Sequence, residues 1–216
     1  MNDNRTKKKA SLPRLCLISS GEECADNGTL LLKQLALLPR SLSCMVQIRE
    51  KKLDAKELLT LARKAREIEL PEGTLLLLNE RIDLALAAGL DGVHLPENAC
   101  SATVLRTIAP ALIYGCSIHS HSALQLAEEA GADYLLFGPV FDTPSKRIYG
   151  PPQGLEKLGE LCQATSLPVF ALGGITPTNA PLCMEKGAYG IAALSLFHDT
   201  ARFAETIEEL YIHLNP

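Results

Sequence analysis

The stretch Leu75–Cys100, LLLLNERIDLALAAGLDGVHLPENAC, carries the repeating unit on which the fold reading rests. Four leucines run without a break into Asn79, the pattern of a short strand buried on both faces. A helix-like run follows, and a second apolar run ends in GVHLP. Polar groups stand at both strand ends, NE at 79–80 and PENA at 96–99.

The same unit recurs along the chain. Short apolar runs lie at 14–19, 44–49, 74–79, 91–95, 112–117, 133–138, 168–173 and 189–195. Amphipathic stretches separate them. Residues 54–68 place Leu58, Leu61, Ala62 and Ala65 on one helical face, and 122–131 closes on a glycine, as 177–188 does on Lys-Gly before its last residue. Strand and helix alternating eight times predict an α/β (β/α)8 TIM barrel in a single domain, 14–216, behind a loose tail at 1–13. An open doubly wound sheet would want a GxGxxG turn after an early strand, and the sequence has none.

Composition narrows the function classes. Of 216 residues, 47% are apolar and 21% charged, an ordinary globular balance. The formal charge is −4, and Lys7-Lys8-Lys9 is the largest basic block. Neither nucleic acid nor a membrane surface is expected as partner. No apolar run reaches the length of a transmembrane helix. Seven scattered cysteines without a CxxC fit a reduced, cytoplasmic protein.

In such a barrel the chemistry sits on the loops after the strands. Gln47, Arg49 and Lys51 share one parity, with Ile48 and Glu50 on the other. Two cations and an amide suit a phosphate or diphosphate; the plainer reading is a solvated strand end. Ser117, His119 and His121 share parity at GCSIHSHS, which puts His119 over the barrel mouth as a candidate general base. Its plainer reading is a hydrogen-bonded rim residue. His121 reads as a surface residue of the next helix, capped by Ser120 or Ser122, with Ser122 and Gln125 as a candidate capping box. The loop FGPVFDTPSKRIYGPPQG holds Thr143, Ser145 and Lys146, a candidate phosphate cradle or lid over 142–152. Gly173-Gly174 allows close backbone approach to a ligand. The eighth run ends at Leu194-Ser195, where phosphate sites on this fold often lie. His94 reads as a core histidine and Asp83 as a structural partner of Arg81.

Taken together, VQIREK, NERIDLALAAGLDGVHL, GCSIHS, GADYLLFGPVFDTPSK, PVFALGGI and GIAALS resemble the thiamine phosphate synthase family and its sister, thiazole tautomerase. The resemblance spans roughly residues 14–197. It implies that Arg49, Lys51, Asn79 and Ser117 face a pyrimidine diphosphate, and that Thr143, Ser145, Lys146, Gly174 and Ser195 hold a thiazole phosphate. In the synthase, two aspartates hold magnesium. Here Glu80 stands at the first place, as the one candidate metal ligand, and Ala99 at the second. An alanine offers no oxygen, although Glu97 or Asn98 could substitute. The tautomerase moves a proton in a carboxythiazole phosphate and needs no metal; its base falls on His119. The leading expectation is therefore tautomerisation by His119 without cofactor. The alternative is the Mg2+-dependent joining of hydroxymethylpyrimidine diphosphate to thiazole phosphate. A third reading is a phosphate-ligand binder with a regulatory role. A homo-oligomer is compatible with all three.

Overall fold

The computed structural model describes residues 12–19, 21, 29–99, 101–143, 151–194 and 201–214. Each apolar run forms a strand: β1 Leu15–Ile18, β2 Met45–Ile48, β3 Leu75–Asn79, β4 Gly92–Leu95, β5 Ile113–Ile118, β6 Tyr134–Phe137, β7 Val169–Leu172 and β8 Gly190–Ala193. A helix follows each: α1 Thr29–Ala36, α2 Ala55–Glu67, α3 Ile82–Ala87, α4 Ala102–Leu105, α5 His121–Glu129, α6 Gly154–Ala164, α7 Ala180–Glu185 and α8 Phe203–Leu214. The strands pair in parallel in chain order, and β8 returns to β1 (Cys16 opposite Ala192), closing the barrel. The expected (β/α)8 architecture is the one observed.

Strand periodicity separates two apolar layers. Outward residues such as Leu76, Leu78, Val93, Leu135 and Ile191 pack under the helices. Inward residues such as Cys16, Met45, Leu77, Ile113, Tyr134, Leu136, Phe170 and Ala192 fill the interior. Helix α2 illustrates how the outer layer is fixed. Asp54 caps it by accepting from Glu57 N at 2.8 Å, and Glu57 returns a bond to Asp54 N at 2.9 Å. Its buried face is Leu58, Leu61, Ala62 and Ala65, the four expected from spacing.

Two local expectations change. The tail does not extend to residue 13: Leu12 and Pro13 are buried. Leu12 packs against the interior cluster, and its carbonyl accepts from the Tyr189 hydroxyl at 2.5 Å. Residues 1–11 lie outside the described residues. Helix α5 is capped by Ser120, which accepts from Ala123 N at 3.1 Å. Ser122 already lies in the first turn, so the Ser122–Gln125 capping box does not form.

One glycine shapes the interior. His94, Gly115 and Tyr134 stand in register on β4, β5 and β6. Tyr134 lies across Gly115, where an added Cβ would sit 2.0 Å from the ring carbon Cζ. Gly115→Ala should therefore destabilise the fold by roughly 2–3 kcal/mol, read as a lowered urea midpoint. An unchanged midpoint would mean that Tyr134 turns aside freely.

Candidate active site

Among the described residues, the barrel mouth has a polar half and a half of mainly small and apolar residues. The polar half comes from β2 to β5. Gln47 is 2% exposed, and its Nε2 donates to Asn79 Oδ1 at 2.9 Å. Asn79 Nδ2 in turn donates to Glu80 Oε2 at 2.8 Å. Glu80 turns back to receive that bond through a left-handed backbone, φ 62°, a conformation uncommon outside glycine. Its own N–H donates to the His94 carbonyl at 3.0 Å. The carbonyl oxygen of the Gln47 amide is buried and accepts from no described group.

His94 lies beneath this rim, 3% exposed. Its Nδ1 is 3.1 Å from the Tyr134 hydroxyl and its Nε2 2.9 Å from Ser117 Oγ. Burial, reinforced by the positive charge of Arg49, pushes its pKa down to about 3. It is a satisfied core histidine, as read from sequence, and it also holds Ser117.

Of the three residues expected on one side of β2, only Gln47 is within the strand. The strand stops at Ile48, and Lys51 is exposed in the following turn, so strand parity does not reach it. Arg49 is half-buried, and its N–H donates to Ser19 Oγ at 2.8 Å. Glu50, which parity assigns to the other side, is buried. Its carboxylate accepts from the Ser19 hydroxyl and from Gly21 N. Sequence reasoning passed over both Ser19 and Glu50; a carboxylate beside an apolar strand was the available signal.

His119 is exposed just past β5. Its Nδ1 meets Glu97 Oε2 at 2.6 Å, and its carbonyl accepts from Lys157 Nζ at 3.0 Å. Glu97 belongs to the PENA turn, where Ala99 packs against the core. Sequence distance hid this pairing, since the partners are 22 residues apart. Asp83 pairs with Arg81 at 2.5 Å, as expected, which holds its carboxyl below the usual range.

The opposite half comes from β6 to β8. Gly173 and Gly174 have φ of 97° and 66°. The space above them is taken by the loop after β6: a Cβ on Gly173 would lie 2.6 Å from Pro139 Cβ, and one on Gly174 2.6 Å from the Asp142 carbonyl. Phe141 N donates to the Gly173 carbonyl at 3.0 Å. The glycine pair thus admits a neighbouring backbone. Leu194 packs against the interior cluster, and Thr143 is half-buried. Ser145, Lys146 and Ser195 lie outside the described residues, as does most of the 142–152 loop. The buried thiols of Cys44 and Cys116 are pushed up to about 12 and 11, protonated and unsuited to nucleophilic work.

Comparisons with known proteins agree with this frame. The TMP-TENI family, described as thiamine monophosphate synthase, matches residues 15–197. The chain belongs to this family. An Aquifex aeolicus protein provisionally named thiamine-phosphate synthase 2 is 40% identical over 86% of this chain and 98% of its own. A Methanoculleus marisnigri thiamine-phosphate synthase is 41% identical over 70% of this chain and 72% of its own. The solved Pyrococcus furiosus thiamine phosphate pyrophosphorylase superposes with TM-score 0.79 at 28% identity, over 96% of this chain and all of that one. A thiamine-biosynthesis enzyme is therefore the class, and these names favour the joining reaction over the tautomerisation expected from sequence.

The buried imidazole predicts a pH effect on stability. Folded, His94 stays neutral to about pH 3; unfolded, it titrates near 6.5. Between those values the unfolded chain binds the extra proton, so this contribution is lost as pH falls. The stability advantage of the wild type over His94→Gln should shrink by about 2 kcal/mol between pH 7 and pH 5. Urea unfolding of both proteins at the two pH values measures it, and a constant gap would count against a neutral buried His94.

Proposed function

We propose that the barrel mouth binds a hydroxymethylpyrimidine diphosphate and a thiazole phosphate and joins them to thiamine phosphate. The buried amide of Gln47 carries this reading. Its nitrogen is committed to Asn79, and its oxygen is an unmet acceptor. Such an atom costs on the order of 1–3 kcal/mol. An aminopyrimidine brings the N–H donor that would relieve it; an aromatic thiazole ring has none. The names of the relatives at 40–41% identity support the same reaction.

In joining, the thiazole nitrogen gives its lone pair to the pyrimidine methylene carbon. The carbon–oxygen bond to the diphosphate breaks, and the diphosphate leaves with that electron pair. Forming the carbon–nitrogen bond removes no proton. The protein's task is to align the two ligands and stabilise charge. Gln47 and Asn79 fix the pyrimidine, Arg49 and Lys51 draw the diphosphate, and Ser117 donates to it. The 143–146 loop and the β8 end hold the thiazole phosphate.

Magnesium is the ion this reaction implies. Among the described residues no three His, Cys, Asp or Glu side chains converge, but magnesium is ordinarily held by one or two carboxylates together with substrate phosphates. Glu80 and Glu97 fit that demand, because they follow β3 and β4, neighbouring strands that pair at Asn79 and His94. Bound there, the ion would neutralise the departing diphosphate. Ala99 contributes nothing to it.

A second reading, tautomerisation, is favoured by the His119–Glu97 contact of 2.6 Å. A carboxylate on Nδ1 leaves Nε2 as the base, and proton transfer needs a base where joining needs none.

Purified chain given both ligands should form thiamine phosphate with magnesium and stop in EDTA. Glu80→Gln should slow it, and Gln47→Leu should raise KM for the pyrimidine diphosphate about tenfold. Turnover of carboxythiazole phosphate alone, indifferent to EDTA and cut about a hundredfold by His119→Ala, would replace joining with tautomerisation.

A further inference from the structure

Three groups on three neighbouring strands meet inside the barrel, below the ligand-facing rim. Tyr134 and His94 are buried, and Gly115 between them leaves the space in which they touch. The chain of contacts is Tyr134 Oη to His94 Nδ1, then His94 Nε2 to Ser117 Oγ. We infer that Tyr134, His94 and Ser117 form a one-way hydrogen-bond relay that leaves the Ser117 hydroxyl proton to the ligand, with His94 as a positioning residue.

The direction follows from counting protons. A neutral imidazole donates through one nitrogen and accepts through the other. His94 is neutral by the same count: a ring protonated on both nitrogens would leave the buried Tyr134 O–H without an acceptor among the described residues. The Tyr134 hydroxyl keeps its proton too, since burial raises its pKa well above 10.0. Among the described residues that hydroxyl has no partner other than His94 Nδ1. If Nδ1 carried the imidazole proton, the phenol O–H would be buried without an acceptor, a loss comparable to a whole hydrogen bond. Tyr134 therefore donates to Nδ1, and the ring proton sits on Nε2. From there it is donated to Ser117 Oγ, one of whose lone pairs is then occupied. The serine's own O–H is left to point out of the interior. The opposite tautomer would draw that proton inward and turn oxygen lone pairs toward any anion at the mouth.

The role given to Ser117 rests on the ligand reading above; the tautomer does not. Two measurements separate them. With 15N-labelled histidine, long-range 1H–15N spectra of the intact protein at pH 7.5 should show His94 as the Nε2–H tautomer. Its signals are identified, among those of five histidines, by their loss in His94→Gln. A dominant Nδ1–H form would overturn the relay without reference to any substrate. Tyr134→Phe should produce a tautomer mixture, and retention of pure Nε2–H in it would also overturn the relay. For turnover, Ser117→Ala and Tyr134→Phe should each lower kcat/KM about tenfold. Because the tyrosine acts through the serine, adding Tyr134→Phe to Ser117→Ala should cost less than a further twofold. A full second tenfold loss would mean that Tyr134 acts by another route.

Discussion

Pairing of β1 with β8 closes the sheet, and closure is what turns separate strand ends into one site. Parallel strands put all their C-terminal ends at one mouth. Side-chain alternation then decides which residues enter it. Gln47 and Asn79, 32 residues apart, come within 2.9 Å because β2 and β3 pair in register below them. The same alternation sends Leu76 and Leu78 outward to the helices. Each strand thus packs one set of residues under the helices and turns the other into the barrel interior, which at the ends of β2 and β3 includes Gln47 and Asn79.

Closure also constrains what the interior tolerates. Polar groups there must find partners or remain costly. Tyr134, His94 and Ser117 satisfy one another, which is possible only because Gly115 has no side chain. On the other side of the mouth, Gly173 and Gly174 let the loop after β6 pack directly on the end of β7. Glycine does related work in both places: it yields its volume to a neighbour.

The strands were legible because runs buried on both faces show no alternation, and α2 because its apolar spacing and Asp54 cap agree. Legibility ended where the strands ended. Lys51 was placed by a parity that stops at Ile48, and Glu50, just past the same point, was passed over. Ser120 rather than Ser122 caps α5 because the chain leaves β5 at Ile118, so the helix begins at His121. The His119–Glu97 pair could not be read from spacing, since it forms across two neighbouring loops whose conformations are local. Ala99 was legible as a missing oxygen, but the sequence could not show that the neighbouring Glu97 lies on His119.

Two sets of groups in the polar half of the mouth differ in burial. Gln47 and His94 occupy an interior where apolar side chains of similar size would fold at least as well. A barrel that handled only a thiazole phosphate would have little use for that desolvated polar wall or for the unmet Gln47 oxygen. The Glu97–His119 pair stands at the opposite extreme. It is largely exposed, with side chains 33% and 50% accessible, and exposed ion pairs add little to stability. Neither feature is explained by the fold. On the proposed function, the polar wall serves a ligand with its own N–H donor. On the same proposal, the carboxylate–imidazole pair, where Lys157 donates to the His119 carbonyl, serves the second ligand. Polar groups kept at the mouth at no gain in stability are what the proposed joining of two ligands would demand.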